Sequence, residues 1–212
     1  MRIANLLALS LAAALGMSAP KPISAQAASP AALRPEDAIT LQVSTGTYKR
    51  AADGTDEWTE GKSFQSGSQV WARVAITNLT DHVAFLHLYG ELPMFETTLL
   101  DNGGAVPELT VEGCRMHFCP QAQKGVAQSS TIVLSGLGPT WIWKPKETIV
   151  KYFMVTYEYQ LTKPGAYEMS LVRNDFQLSE ASSAREAFSP AAKGNTAIGP
   201  VRSNTVKFQI LP

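Results

Sequence analysis

The two cysteines of the chain stand five positions apart in Gly113-Cys114-Arg115-Met116-His117-Phe118-Cys119-Pro120. Thiol and imidazole groups ligate metals, and two nearby thiols also form a disulfide or a labile redox pair. A metal on Cys114, His117 and Cys119 would need a fourth ligand and reducing conditions. Structural zinc usually shows two paired clusters, and a single C-x₄-C is not that pattern. In an oxidising compartment two cysteines normally pair. Closing so short a loop stabilises by about 2 kcal/mol on the chain-entropy model. The expectation is therefore a Cys114–Cys119 disulfide, with no metal and no cofactor. His117 would be exposed on the stapled loop as a candidate contact residue.

The remaining chemistry-bearing residues are scattered. His82 and His87 are five apart on an expected strand, an odd spacing that turns them to opposite faces. There is no H-E-x-x-H, no G-x-S-x-G and no glycine-rich phosphate loop; the one S-x-x-K lies at 18–21. The expectation is a protein without catalytic activity. Asp53, Asp56, Glu57 and Glu60 cluster in a segment that reads as a solvated loop, since their spacing does not match a twelve-residue calcium loop. Trp141 and Trp143 are two apart, so on an extended segment both face one side. With Trp58 they are the candidate binding residues, able to stack on sugar rings or on a partner's proline; the alternative is that they roof the core. Asn78-Leu79-Thr80 fits a glycosylation acceptor but reads as a turn, with Asn78 ending a strand and tolerating the left-handed region.

The elements that must position these residues follow an export segment. Arg2, the uncharged apolar run 3–17 and Ala25-Gln26-Ala27 have the order of a signal peptide cleaved near Ala27. The run is shorter than the roughly 20 residues of a membrane span. The expected organisation is signal peptide 1–27, flexible leader 28–37 and a single domain 38–212. The product would be periplasmic or extracellular, with no membrane span after cleavage. Lys and Arg number 18, as do Asp and Glu, so the chain carries no electrostatic footprint for nucleic acid.

Beyond the leader the dominant period is two. Ile39, Leu41 and Val43 alternate with polar residues. Val70, Ala72, Val74 and Ile76 lie opposite Trp71, Arg73, Ala75 and Thr77. Residues 83–89 and the run 147–161 read as strands, the second ending in the turn Thr162-Lys163-Pro164-Gly165. Asn102-Gly103 predicts a two-residue hairpin, and Pro107 makes its returning strand an edge. Tyr167, Met169 and Leu171 share a face, as do Val206, Phe208 and Ile210. Residues 179–200 read as a long surface loop, with a short helical turn at 180–187. The fold class expected is all-β: an antiparallel sandwich of about seven to nine strands, with an up-and-down barrel as the alternative.

Gly165-Ala166-Tyr167 at a strand's start resembles the tyrosine corner of immunoglobulin-like folds. Together with 74–81, 144–150, 157–173 and 203–211, it resembles a bacterial secreted immunoglobulin-like domain. Similar modules precede some secreted metalloproteases. Lys146 stands where such domains place a turn glycine. The resemblance implies a bond from Tyr167 back to the main chain, and a structural role rather than a chemistry. Three functions are compatible with it. One is an accessory module meeting an unknown protein or cell-envelope partner through the 113–120 and 179–200 loops. The others are a module binding envelope glycan through tryptophans, and a protease inhibitor or prodomain-like regulator.

Overall fold

The computed structural model describes residues 34–87, 95–117, 119, 140–179 and 195–212. The described part is mostly β, with antiparallel sheets and a few short helices. The first sheet has the order β2-β1-β4-β8, from β1 (Ile39–Arg50), β2 (Asp56–Glu60), β4 (Trp71–Asn78) and β8 (Thr148–Met154). The second runs β11-β10-β5-β7, from β5 (Val83–His87), β7 (Thr140–Trp143), β10 (Phe176–Ser179) and β11 (Thr196–Ile198). The third is built on β9 (Gly165–Arg173). On one side β9 pairs with β12 (Val201–Arg202) and β13 (Val206–Leu211), and on the other with β6 (Glu96–Asp101). A short β3 (Ser63–Gln65) joins β13 in parallel.

Alternation decides what each strand buries. Val70, just ahead of β4, and Ala72, Val74 and Ile76 within it are all fully buried, while their neighbours Trp71, Arg73, Ala75 and Thr77 stay partly exposed. Leu41 and Val43 do the same on β1, Tyr167, Met169 and Leu171 on β9, and Phe208 and Ile210 on β13. These side chains merge with Trp143, Phe176 and Leu178 into one apolar cluster. Each such burial contributes about 1.5–3 kcal/mol before the entropy of ordering is set against it. The Tyr167 hydroxyl donates to the Lys163 carbonyl at 2.7 Å, which ties the 162–165 turn to the start of β9.

Several local expectations change. The run 147–161 is not one strand. After Met154 the chain makes a single helical turn, α3 (Val155–Glu158), closed by the Tyr159 amide on the Val155 carbonyl at 3.0 Å. Val155 bonds instead to the Val70 carbonyl at 2.8 Å, and Val155 and Tyr159 both reach the core; these contacts override β propensity. The leader includes an ordered turn, α1 (Pro35–Ala38), whose Ala38 is buried. The Asn102-Gly103 hairpin is also different: the positive φ falls on Gly104, at 77°. The Asp101 carboxylate organises this turn by accepting from the Gly103 and Ala105 amides. No returning strand forms at 105–108, where Pro107 has no amide to donate. Part of the expected 179–200 loop is strand β11. Residues 1–27, most of the leader, and the helical turn at 180–187 lie outside the described residues.

Lys146 adopts φ of 62°, the conformation that a turn glycine would take more easily. Asn78, by contrast, is not left-handed. It is the last residue of β4 and is fully buried. Its side-chain amide donates to the carbonyls of His82 (2.6 Å), Lys144 (3.1 Å) and Trp143 (3.4 Å). Its oxygen accepts from the Thr80 amide and hydroxyl. One side chain thus joins three segments, and buried groups of this kind are costly to leave unpaired. Asn78→Ala should lower stability by about 2–4 kcal/mol in urea unfolding; a loss below about 0.5 kcal/mol would mean that water replaces these bonds.

Candidate functional site

Two features stand out on the described surface. The first is the outward face of the first sheet. In the β1–β2 register Tyr48 lies opposite Trp58, and in the β1–β4 register Gly46 lies opposite Trp71. Across β4–β8, Arg73 lies opposite Tyr152. Four aromatic rings therefore gather on one face. Tyr48 stacks on Tyr152 with centroids 4.5 Å apart and planes 21° from parallel. Trp58 sits 5.5 Å from Tyr152, and Trp71 sits 4.8 Å from Tyr48. All four are partly exposed. Gly46 makes the arrangement possible, because a Cβ there would lie 2.7 Å from the Trp58 ring and 2.2 Å from the Thr59 carbonyl oxygen. Polar groups rim the rings. The Tyr48 hydroxyl donates to Asp56 at 2.8 Å, and Arg50 approaches the same carboxylate at 3.5 Å.

The second feature is a corner where α2 (Val111–Met116) meets α3. Thr110 caps α2: its hydroxyl accepts from the Gly113 amide at 2.9 Å and donates to the Tyr157 carbonyl. Its own amide donates to the Glu158 carbonyl at 2.9 Å. Gly113 presses on that same peptide, where an added Cβ would lie 2.0 Å from the Glu158 oxygen. Only glycine lets the two backbones approach this closely. The result is a buried acid. The Glu158 side chain is 9% exposed, and its Oε2 lies 3.2 Å from His117 Nε2. Burial pushes the Glu158 carboxyl above its ordinary range, against a smaller downward pull from His117. Tyr159 beside it is pushed up to about 12 by burial and by the nearby Glu158 charge.

The residues singled out by sequence reasoning divide among several places. Trp143 is fully buried, edge-on to Phe176, and belongs to the core. Trp141 is partly buried against the same core, with Lys151 Nζ 4.5 Å from its ring centre. The pair therefore does not offer two open ring faces, although β7 does turn both to one side, 6.1 Å apart. Trp58 lies on β2 rather than in a loop and joins the aromatic face. His117 is not simply exposed: its side chain is 27% exposed and is held by Glu158. The expected disulfide is corrected as well. Cys114 and Cys119 are free, 2.5 Å apart. That lies about half an ångström beyond a covalent S–S bond. The hydrogen bond to Cys119, then burial, then the neighbouring charge push the Cys114 thiol upward. Among the described residues, no cluster of three or more His, Cys, Asp or Glu could hold a metal ion. Asp53 and Asp56 are engaged locally, Asp53 by Thr55 and Asp56 by Tyr48 and Arg50.

No family model, curated protein or solved structure matches this chain. Tyr48, Trp71 and Tyr152 were not among the residues expected to bind. Alternation does place Trp71 outward with Arg73, but their convergence with Trp58 depends on strand pairing, which no local pattern states.

The Glu158 corner has a definite pH signature. The folded protein holds the Glu158 proton more tightly than the unfolded chain, where a glutamate titrates near about 4.3. The stability linked to this group is therefore complete below about pH 4.3 and is lost as pH rises through the higher folded value. Urea melts of wild type and Glu158→Gln should show the variant gaining on wild type between about pH 4 and pH 7. A difference that stays constant across that window would contradict a desolvated carboxyl.

Proposed function

We propose that this protein is a non-catalytic binding module acting outside the cytoplasm, built on an immunoglobulin-like sandwich. The outward face of its first sheet would take the rings of a cell-envelope glycan. The observation that carries the reading is the cluster of Tyr48, Trp58, Trp71 and Tyr152 around Gly46. Aromatic faces present an apolar, electron-rich surface that suits the C–H faces of sugar rings, and their polar edges and neighbours supply orientation. Arg73, Ser44 and Gln42 continue outward along the same face and offer donors and acceptors next to the rings. The export segment and the Tyr167 bond to Lys163 support the compartment and the sandwich.

The proposed contact surface is a sheet face rather than a loop. Of the two loops expected to meet a partner, residues 113–116 of the first belong to α2, which contacts α3, and most of 179–200 lies outside the described residues. The inhibitor reading keeps only the resemblance behind it.

The test is a titration with soluble envelope polysaccharide followed by tryptophan fluorescence and calorimetry. Wild type should give saturable quenching, and Trp58→Ala should weaken binding roughly tenfold, the scale of one lost stacking contact. A Trp141→Ala protein should bind as wild type does. Full binding by Trp58→Ala, or none by wild type across a glycan panel, would end the proposal.

A further inference from the structure

At the end of β8 lies a cleft of about 310 Å³, walled by Trp71, Phe95, Phe153 and Tyr157, with Met116, Met154 and Glu158 also lining it. Phe95 and Phe153 face each other at 6.4 Å, and Tyr157 stands 46% exposed at the mouth. The composition is unusual for a patch of core. Among the described residues lining it are four aromatics, two methionines and one carboxyl group, whose side chain is nine-tenths buried and whose Oε2 lies 3.2 Å from His117 Nε2. A buried carboxylate is costly unless a positive group is close. Aromatic faces attract cations, and methyl-sheathed cations most readily, because these lose little hydration on entry.

From this geometry we propose that the cleft binds a quaternary ammonium group, with the aromatic rings as its walls and Glu158 as its counter-ion. The choice of a methylated over a primary ammonium follows from the lining. A primary ammonium carries three N–H donors. Among the described residues that line the cleft, Thr97 and Tyr157 are the ones besides Glu158 that carry side-chain oxygens. A quaternary nitrogen has no donors to satisfy and needs only ring faces and one charge. The site is distinct from the proposed glycan surface, although Trp71 borders both.

Choline is the probe, and 3,3-dimethylbutan-1-ol, its uncharged carbon isostere, is the control. Calorimetric titration of the full chain should give saturable one-to-one binding of choline. The isostere should bind roughly tenfold more weakly or not at all. Glu158→Gln should bring choline down to the level of the isostere. Tyr157→Ala, an exposed change that spares the core, should weaken choline several-fold. Trp58→Ala should leave choline binding intact, which separates failure here from failure of the glycan reading. Co-sedimentation with phosphatidylcholine vesicles, compared with phosphatidylglycerol vesicles, would name a lipid headgroup as the source. Its absence, with choline still bound, would name a free amine. Equal binding of choline and the isostere, unchanged binding by folded Glu158→Gln, or no saturable binding of choline would overturn the proposal.

Discussion

The register of β4 between β1 and β8 is the constraint on which the rest depends. Side chains on a strand alternate faces, so a slip by one residue would exchange the two faces wholesale. In the observed register Val74 lies between Val43 and Lys151, and Ile76 between Leu41 and Ile149. A slip would turn Trp71 and Arg73 toward the core and expel four fully buried side chains, Val70, Ala72, Val74 and Ile76. At about 1.5–3 kcal/mol for each of the three larger side chains, that penalty is comparable to the whole stability of a domain. The same register that builds the core therefore sets the aromatic face. Asn78 pins the far end of β4 by joining it to the carbonyls of His82, Trp143 and Lys144.

At the near end of β4 the same strand meets the second feature. Val70 accepts from the Val155 amide and donates to the Thr156 hydroxyl at 3.3 Å, so the turn of α3 hangs on the start of β4. From there Glu158 is carried under α2, where Gly113 and Thr110 hold the two short helices in backbone contact. Neither helix is long enough to be stable alone. Their order comes from this docking and from Tyr159 reaching into the core. A carboxyl buried at such a corner weakens the fold when it ionises, and His117 offsets only part of that cost.

Much of the architecture was legible in the sequence because period two is a direct consequence of strand geometry. The buried faces of β1, β4, β9 and β13 are those that alternation marks. The turn at Lys146 and the bond of Tyr167 also fit local patterns. What could not be read depends on tertiary partners. Residues 155–158 have β-rich composition, yet their hydrogen bonds to Val70 and burial at Tyr159 turn them into a helical link. Trp143 and Trp58 look alike as isolated residues; one faces the shared core and the other a glycine on the neighbouring strand. Glu158 carries no local signal, because nothing next to it in sequence announces His117, forty-one residues earlier. Cys114 and Cys119 were expected to bond because export was expected; they lie 2.5 Å apart and a disulfide between them is not supported.

The central claim is that the outward face of the first sheet is a recognition surface and not only an aromatic ladder bracing the strands. The most direct measurement is a nitrogen–proton NMR titration that follows the four tryptophan indoles as a soluble envelope glycan is added. The account predicts that the Trp58 and Trp71 signals shift together and saturate, while that of Trp143 stays fixed in the core. Movement of Trp141 alone, or saturable binding with Trp58 and Trp71 unmoved, would contradict it.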